Sequence, residues 1–218
     1  MLPRRGFGDK EIMSSSIAQV NAPTTVLGRE NRATPLLAQR TERYSSSGIW
    51  VGVFAITMSF AAFSSALFVR EGTADWDHLV LPSILYFNTL LLLASSGTLE
   101  LARHRLAEVE GTRKASGWVL LTLFLGMAFC AGQYRAWLDL RAQGIYLASN
   151  PNSSFFYLLT FLHALHVCAG VCVLMYLAGR LLASHTTFRV GLFRNAAIYW
   201  HFMAVLWVYL LLLCRMKL

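Results

Sequence analysis

Charged residues are almost absent from five long stretches of this 218-residue chain. The stretches are residues 48–69, 79–102, 117–138, 154–183 and 195–214, and none has a Lys, Asp or Glu in its middle third. Each reaches the ~20 residues that an α-helix needs to cross the hydrocarbon core of a bilayer. Lipid offers the backbone no hydrogen-bond partner, so such segments are expected to be helices. The sequence therefore predicts an all-α, polytopic bundle of five transmembrane helices.

The predicted helices also lack the residue patterns of hydrolytic and phosphate-binding sites. They have no pair of neighbouring carboxylates, no glycine-rich phosphate loop and no nucleophile beside a base. Glu100 is the only acidic residue close to a predicted helix core, and Arg103 follows it by one helical turn. We expect a helix-end ion pair between these two residues rather than a proton relay. The chain by itself is therefore expected to have no catalytic residue.

Basic residues are divided unequally between the two ends of the predicted helices. Of 19 Lys and Arg residues, 14 fall in the N-terminal tail, the second loop and the fourth loop region. Basic loops stay in the cytoplasm, so the N-terminus is expected to be cytoplasmic and the C-terminus periplasmic. The net charge of +8 then reflects topology. No nucleic-acid partner is predicted, because the charges are spread over loops rather than gathered on one folded face.

The first 46 residues differ in composition from the rest of the chain. Residues 1–46 are rich in Ser, Thr, Arg and Pro and have no periodic apolar face. Such a composition is typical of disordered segments. Arg4 and Arg5 are not followed by the apolar stretch of a secretory signal. We predict a disordered cytoplasmic tail over residues 1–46 and a five-helix transmembrane domain over residues 47–218.

The first predicted helix has a row of small residues on one face. The row recurs at spacings of three and four residues and consists of Gly52, Ala55, Ser59, Ala62 and Ala66. Small residues let helix backbones approach closely in lipid. The row is expected to pack either against another helix of this chain or against a helix of a partner protein. The six tryptophans, in contrast, lie mostly near the predicted helix ends, where indoles favour the membrane interface.

Histidines and cysteines inside the predicted helices raise the possibility of a haem or metal site. His163 and His166 lie on the fourth helix near its outer side, and His201 lies on the fifth near its inner side. This vertical offset argues against a shared haem iron, so we expect hydrogen-bonded structural histidines. Cys168 and Cys172 are one turn apart, but copper would also need nearby His and Met ligands. We therefore predict no haem and no metal in this chain.

Four blocks of residues, in order along the chain, resemble the third-subunit family of haem–copper oxidases. They are Phe87-Asn88-Thr89 followed by residues 91–96; Leu125-Gly126 with Phe129 and Gln133; Phe155-Phe156 with Thr160, His163, Leu165, His166, Val167, Gly170, Arg180 and His185; and Tyr199-Trp200-His201-Phe202 with Trp207. The blocks span most of residues 48–214. The chain is similar to the five-helix form of this family, which lacks the first two of the usual seven helices.

The resemblance implies a bacterial cytochrome c oxidase subunit III in the inner (plasma) membrane, as part of a proton-translocating enzyme complex of aerobic respiration. Such a subunit contacts oxidase subunit I and other oxidase subunits, which hold the haem and copper. It binds phospholipids, stabilises the catalytic subunit and supports proton uptake. Arg180 and His185 match the family's basic residue and histidine at the cytoplasmic side, and are expected to bind lipid. Asn88 and Gln133 are expected to be buried structural residues, like the three helix histidines.

This sequence departs from the family at three carboxylate positions. By register, Ser59, Ala136 and Ala204 stand where the family usually has acidic residues. The departures put carboxylate-linked chemistry in doubt and favour a structural role. Three alternatives stay open: subunit III of a quinol oxidase, an accessory protein of a nitric oxide reductase, and a stand-alone membrane cytochrome b. The electron donor of the complex also stays open, because neither donor site lies in this subunit.

Overall fold

The computed structural model describes residues 24–70, 82–106, 111–147, 151–183 and 190–217, and these residues contain five α-helices. The helices are α1 (Thr24–Arg70), α2 (Ile84–Leu106), α3 (Gly111–Ala142), α4 (Pro151–Leu182) and α5 (Val190–Lys217). The described residues contain no β-strand. Each helix has a segment long and apolar enough to cross a membrane, and the five segments are Ser47–Arg70, Ile84–Leu106, Lys114–Ala142, Pro151–Leu182 and Gly191–Lys217. The predicted all-α architecture with five spans is confirmed, and the orientation of the termini stays a prediction.

All five helices begin at residues other than those predicted, and α3, α4 and α5 begin three to six residues earlier. Helix α1 begins at Thr24, inside the predicted tail, although its apolar segment begins at Ser47 as expected. The chain divides into two units, Met1–Tyr44 and Ser45–Leu218, and no finding tests the disorder of the tail. Helix α2 begins at Ile84 rather than at residue 79, since the Pro82 and Ser83 carbonyls cap its first turn by accepting hydrogen bonds from Leu85 and Tyr86. Residues 79–81 lie outside the described part of the chain.

Helices α2 to α5 form a closed ring of neighbours. Contacts join α2 to α3, α3 to α4, α4 to α5, and α5 back to α2. Because short connections join consecutive helices, each runs antiparallel to the next, as in an up-down bundle. Helix α1 lies against this ring, with the Phe60 ring 6.0 Å from the His166 ring of α4. Near the last residues of both helices, Lys217 Nζ lies 5.1 Å from the centre of the Phe68 ring, so α1 and α5 end on the same side.

Trp200 occupies the centre of the ring, where glycines on two neighbouring helices make room for it. Its side chain is 1% exposed. A Cβ atom at Gly126 of α3 would lie 2.8 Å from Trp200 Cη2, and one at Gly170 of α4 would lie 3.1 Å from Trp200 Cε3. In lipid, such close packing is a main source of helix association, because burial of apolar surface gains little there. The two glycines therefore fix how deeply the indole of α5 enters the bundle.

Helix α3 ends in a glycine turn that holds the start of α4. Gly144 has a φ angle of 78°, a left-handed conformation that glycine adopts without strain. Its amide donates to the Arg141 carbonyl at 3.0 Å, and the Ile145 amide donates to the Leu140 carbonyl at 3.1 Å, which is the Schellman pattern of a helix C-terminus. The Tyr157 hydroxyl of α4 then donates to the Ile145 carbonyl at 2.9 Å. The α3–α4 turn is thus bonded to the first turns of α4.

Candidate functional site

A cluster of titratable side chains lies near the predicted cytoplasmic end of the bundle, centred on Glu100 of α2. Glu100 Oε1 lies 2.6 Å from Arg103 Nη2 and 3.3 Å from His104 Nε2. Glu100 Oε2 lies 3.5 Å from Nε2 of His201 on α5. The ion pair between Glu100 and Arg103 is confirmed. All four side chains are at least one-third exposed, so the cluster lies at the surface of the subunit.

His201 connects this carboxylate to a serine hydroxyl on α2. Its Nδ1 is hydrogen-bonded to Ser96 Oγ, while its Nε2 faces Glu100. The arrangement suits an imidazole that carries its proton on Nε2 and accepts from the serine hydroxyl at Nδ1. Sequence reasoning missed the contact between His201 and Glu100. The sequence did contain a signal for this contact, because Glu100 and His201 are both predicted near the cytoplasmic ends of their helices.

Three indole N–H groups join helices through hydroxyl groups. Trp200 Nε1 donates to Ser95 Oγ at 3.0 Å, and Trp207 Nε1 donates to Thr89 Oγ1 at 3.0 Å. Both bonds connect α5 to α2. Trp137 of α3 donates to Thr160 Oγ1 of α4 at 3.2 Å. Trp200 and Trp207 are each 1% exposed, so the expectation of indoles at the membrane interface is wrong for these two.

The three helix histidines lie in different surroundings. His163 is fully buried, with ring contacts to Phe129 and Trp207, and neither of its ring nitrogens has a hydrogen-bond partner among the described residues. His166 Nδ1 lies 2.7 Å from the carbonyl oxygen of Leu162, one turn back on α4. The expectation of hydrogen-bonded histidines is therefore confirmed for His166 and His201, and it stays a prediction for His163, which has no protein partner among the described residues. Its neighbours are aromatic rings, which offer no strong acceptor or donor.

His163 and His201 are also well separated along the bundle. Trp207, the α5 residue that contacts His163, lies six positions after His201. At the helical rise per residue this is about 9 Å along the axis. The absence of haem and metal in this chain stays a prediction.

The cysteines do not combine into a larger cluster in the described part of the chain. Cys130 Sγ of α3 lies 3.9 Å from Cys168 Sγ of α4, while Cys172 is exposed and Cys214 is buried. Among the described residues, no group of three or more His, Cys, Asp or Glu side chains could hold a metal ion. Cys168 therefore faces Cys130 on the next helix, a contact that the sequence did not predict.

The similarity of this chain to known proteins extends over all five helices of the bundle. Residues 46–216 match the family described as cytochrome c oxidase subunit III. The chain belongs to this family. The match covers all five apolar segments and every block of residues on which the resemblance depends, so the sequence-based assignment is confirmed. As a member, the chain is subunit III of a haem–copper oxidase.

Bacterial relatives of two kinds resemble the chain. Cytochrome c oxidase subunit 3 of Corynebacterium diphtheriae is 29% identical over 199 residues, which are 85% of this chain and 95% of the relative. A probable cytochrome c oxidase subunit 3 of Mycobacterium leprae is 31% identical over 123 residues, or 55% of this chain and 59% of the relative. Quinol oxidase subunit 3 of Bacillus subtilis is 27% identical over 179 residues, or 78% of this chain and 85% of the relative.

The row of small residues on α1 faces away from the rest of the subunit. Gly52, Ala55, Ser59, Ala62 and Ala66 are all exposed. The buried residues of the α1 span are instead Phe60, Ser64 and Leu67, on the opposite side of the helix. The described part of the chain thus leaves the row uncovered. Of the two expectations, packing inside the chain is wrong for this face, and docking on a partner stays a prediction.

The positions matched to the family's lipid and carboxylate residues differ in their surroundings. Arg180 is exposed near the end of α4, while His185 lies outside the described residues, so their lipid binding stays a prediction. Ala136 and Ala204 are buried, and Ser59 is exposed. The two buried alanines stand in apolar packing. These three positions therefore hold no acidic side chain that could perform the family's carboxylate-linked chemistry.

Proposed function

We propose that this chain is the non-catalytic third subunit of a cytochrome c oxidase in a bacterial plasma membrane, with haem and copper in the partner subunits. The near full-length similarity to a bacterial subunit 3 supports this assignment. The packing of His163 supports the non-catalytic role, because the rings of Phe129 and Trp207 lie against it where a haem would need space. Subunit III of a quinol oxidase is the second candidate, since the Bacillus subunit is similar over most of its length.

The proposal that the chain docks on a partner subunit depends on one observation, the uncovered row of small residues on α1. An exposed row of this kind lets a partner helix approach closely, and in lipid that approach is a main source of association. We assign the row as the surface that docks on oxidase subunit I. The larger apolar residues on the rest of the exposed surface of α1, such as Phe54 and Met58, suit contact with lipid.

Enlarging the row tests this docking. The change Ala55→Leu with Ala62→Leu would force the two backbones apart. The altered chain should insert in the membrane but be lost from the oxidase when subunit I is purified. A matched control is Ala61→Leu with Ser65→Leu, at exposed positions outside the row. Co-purification of the Ala55 and Ala62 variant at the wild-type ratio, as for the control, would show that another face binds subunit I.

The cluster around Glu100 supports a second part of the proposal, which is assistance in proton uptake. Two imidazoles each lie within 3.5 Å of the Glu100 carboxylate at the predicted cytoplasmic end of the bundle. Carboxylates and imidazoles can both accept and donate protons, so the group can exchange protons with water beside the catalytic subunit. The bonds from His201 to α2 hold one imidazole of this group in place.

The dependence of turnover on pH tests this role. Glu100→Gln should lower the turnover of the assembled oxidase most strongly at high pH, where free protons are scarce and a collecting group matters most. Lys114→Gln is the control, because it removes an exposed charge at the same predicted side without touching the cluster. If the two variants have the same pH profile, the cluster is only a structural ion-pair group.

A further inference from the structure

Three amide and imidazole side chains in the middle of the bundle have polar atoms without partners in the described part of the chain. Asn88 of α2 and His163 of α4 are 0% exposed, and Gln133 of α3 is 1% exposed. Among the described residues, no hydrogen-bond partner is present for either polar atom of any of the three side chains. Buried polar groups are nearly always hydrogen-bonded, so six such atoms on three neighbouring helices require an explanation.

Asn88 and Gln133 lie at the same level of the α2–α3 contact. A Cβ atom at Gly132 would lie 2.1 Å from Asn88 Oδ1, so the asparagine amide rests directly on the α3 backbone beside Gln133. On its own helix, Asn88 is flanked one turn away on each side by the buried side chains of Leu85 and Leu92. The residues one turn from the asparagine on its own face of α2 are therefore apolar.

Gln133 also lies at the level of His163. Phe129, one turn before Gln133, contacts the His163 ring with 6.0 Å between ring centres. Trp137, one turn after Gln133, donates its N–H to Thr160 of α4. Residues four apart share a helix face, so Gln133 lies on the α4-facing side between these two contacts. Asn88, Gln133 and His163 thus converge on one level from three helices.

The neighbouring groups at this level are already bonded or apolar. The Trp207 ring lies 5.0 Å from the His163 ring, but its N–H donates to Thr89. The Thr160 hydroxyl donates to the Phe156 carbonyl at 2.7 Å and accepts from Trp137. Lipid outside the bundle offers no hydrogen bonds. The missing partner must therefore be small, neutral and able both to donate and to accept.

We propose that Asn88, Gln133 and His163 form an internal water-binding site in the bundle. Two amides and one imidazole supply both donors and acceptors. A water molecule offers two of each and satisfies two to four buried groups at once. The site extends beyond the docking and proton-uptake roles, because it lies inside the subunit, about 9 Å along α5 from the level of His201.

High-resolution structure determination of the full chain in lipid nanodiscs tests the site without any substitution. The expected result is water density within hydrogen-bonding distance of at least two of the three side chains. Direct hydrogen bonds that join Asn88, Gln133 and His163 to one another, with no water between them, would overturn the proposal.

X-ray hydroxyl-radical footprinting gives a second measurement on the same preparation, since bound water generates radicals that modify adjacent side chains. Trp207, beside the site, should be modified several-fold faster than Trp200, which is equally buried but packed on glycines. The change Asn88→Leu with Gln133→Leu should remove this difference. Equal rates for the two tryptophans in the unaltered chain would contradict a water site.

Discussion

Trp207 of α5 lies against His163 of α4, with their ring centres 5.0 Å apart and an angle of 31° between the ring planes. The same indole meets the Phe129 ring of α3 edge-on and donates its N–H to Thr89 of α2. One side chain thus contacts all three other helices of the ring. The packing of subunit III at this level therefore depends on Trp207.

Substitution of Trp207 should separate its hydrogen bond from its packing. Trp207→Phe loses the indole N–H bond, at about 0.5–1.5 kcal/mol, and the packing of one of the two indole rings, while Thr89 keeps its bond to the Leu85 carbonyl. Trp207→Ala leaves a cavity, which costs about 3–5 kcal/mol in water-soluble cores. The loss should be toward the lower end here, since apolar transfer gains little in lipid.

Reversible unfolding in mixed detergent micelles measures both losses as free energies. Val208→Ala is the control, because Val208 is exposed on the same helix. Equal losses for Trp207→Phe and Trp207→Ala would mean that the contact with His163 contributes nothing to stability.

Glycines beside Trp200 should tolerate no larger residue. Gly126→Ala and Gly170→Ala each place a Cβ atom within 3.1 Å of the indole. Each should lower the free energy of unfolding by about 1–3 kcal/mol, the usual cost of overpacking a core. Gly179→Ala is the matched control on α4, because nothing lies within 4 Å of a Cβ atom there. A loss at Gly179 equal to that at Gly170 would point to helix backbone effects rather than to contact with Trp200.

Arg180 should bind the phosphate of an anionic phospholipid. Arg180 is exposed near the end of α4, at the predicted cytoplasmic side, and the planar fork of its guanidinium suits phosphate oxygens. Arg180→Gln should reduce the anionic lipid that co-purifies with the oxidase and should shorten the active lifetime during turnover. Native mass spectrometry and oxygen-uptake traces measure these two quantities.

A second basic residue distinguishes lipid binding from a general charge effect. Lys114→Gln removes an exposed charge from the same predicted side and should change neither quantity. Unchanged lipid content and lifetime in Arg180→Gln would leave Arg180 with a role in membrane topology alone.

The sequence predicted the five spans because length and lack of charge are sufficient for that inference. It did not predict which side of each helix faces inward. Trp200 is the clearest example. It lies about 15 Å along α5 from Val190, and its indole faces the inside of the ring. The contact between Cys130 and Cys168 was missed for the same reason. Rotation about the helix axis depends on packing between helices, which a single sequence does not encode locally.

The sequence was sufficient to identify the candidate site residues, but it did not predict which residues of other helices they contact. The sequence places Glu100 beside Arg103 because both lie on one helix, and the structure has that ion pair. The partners of His201 and Asn88 lie on other helices, so sequence spacing gives no information about them. The sequence alone predicted the row of small residues on α1. Its exposure could be recognised only in the structure, where Phe60, Ser64 and Leu67 are the buried residues on the opposite side.

Purification of the tagged full-length chain from its native membranes, followed by optical spectroscopy and oxygen-uptake measurement, tests whether it is a non-catalytic oxidase subunit. We expect the chain to bring with it a catalytic subunit that contains haem and reduces oxygen, and we expect no haem absorbance from the chain expressed alone. Isolation of the chain without any haem-containing partner would show that it is not an oxidase subunit. A chain that, expressed alone, binds one haem and loses it in His163→Ala would contradict the non-catalytic role.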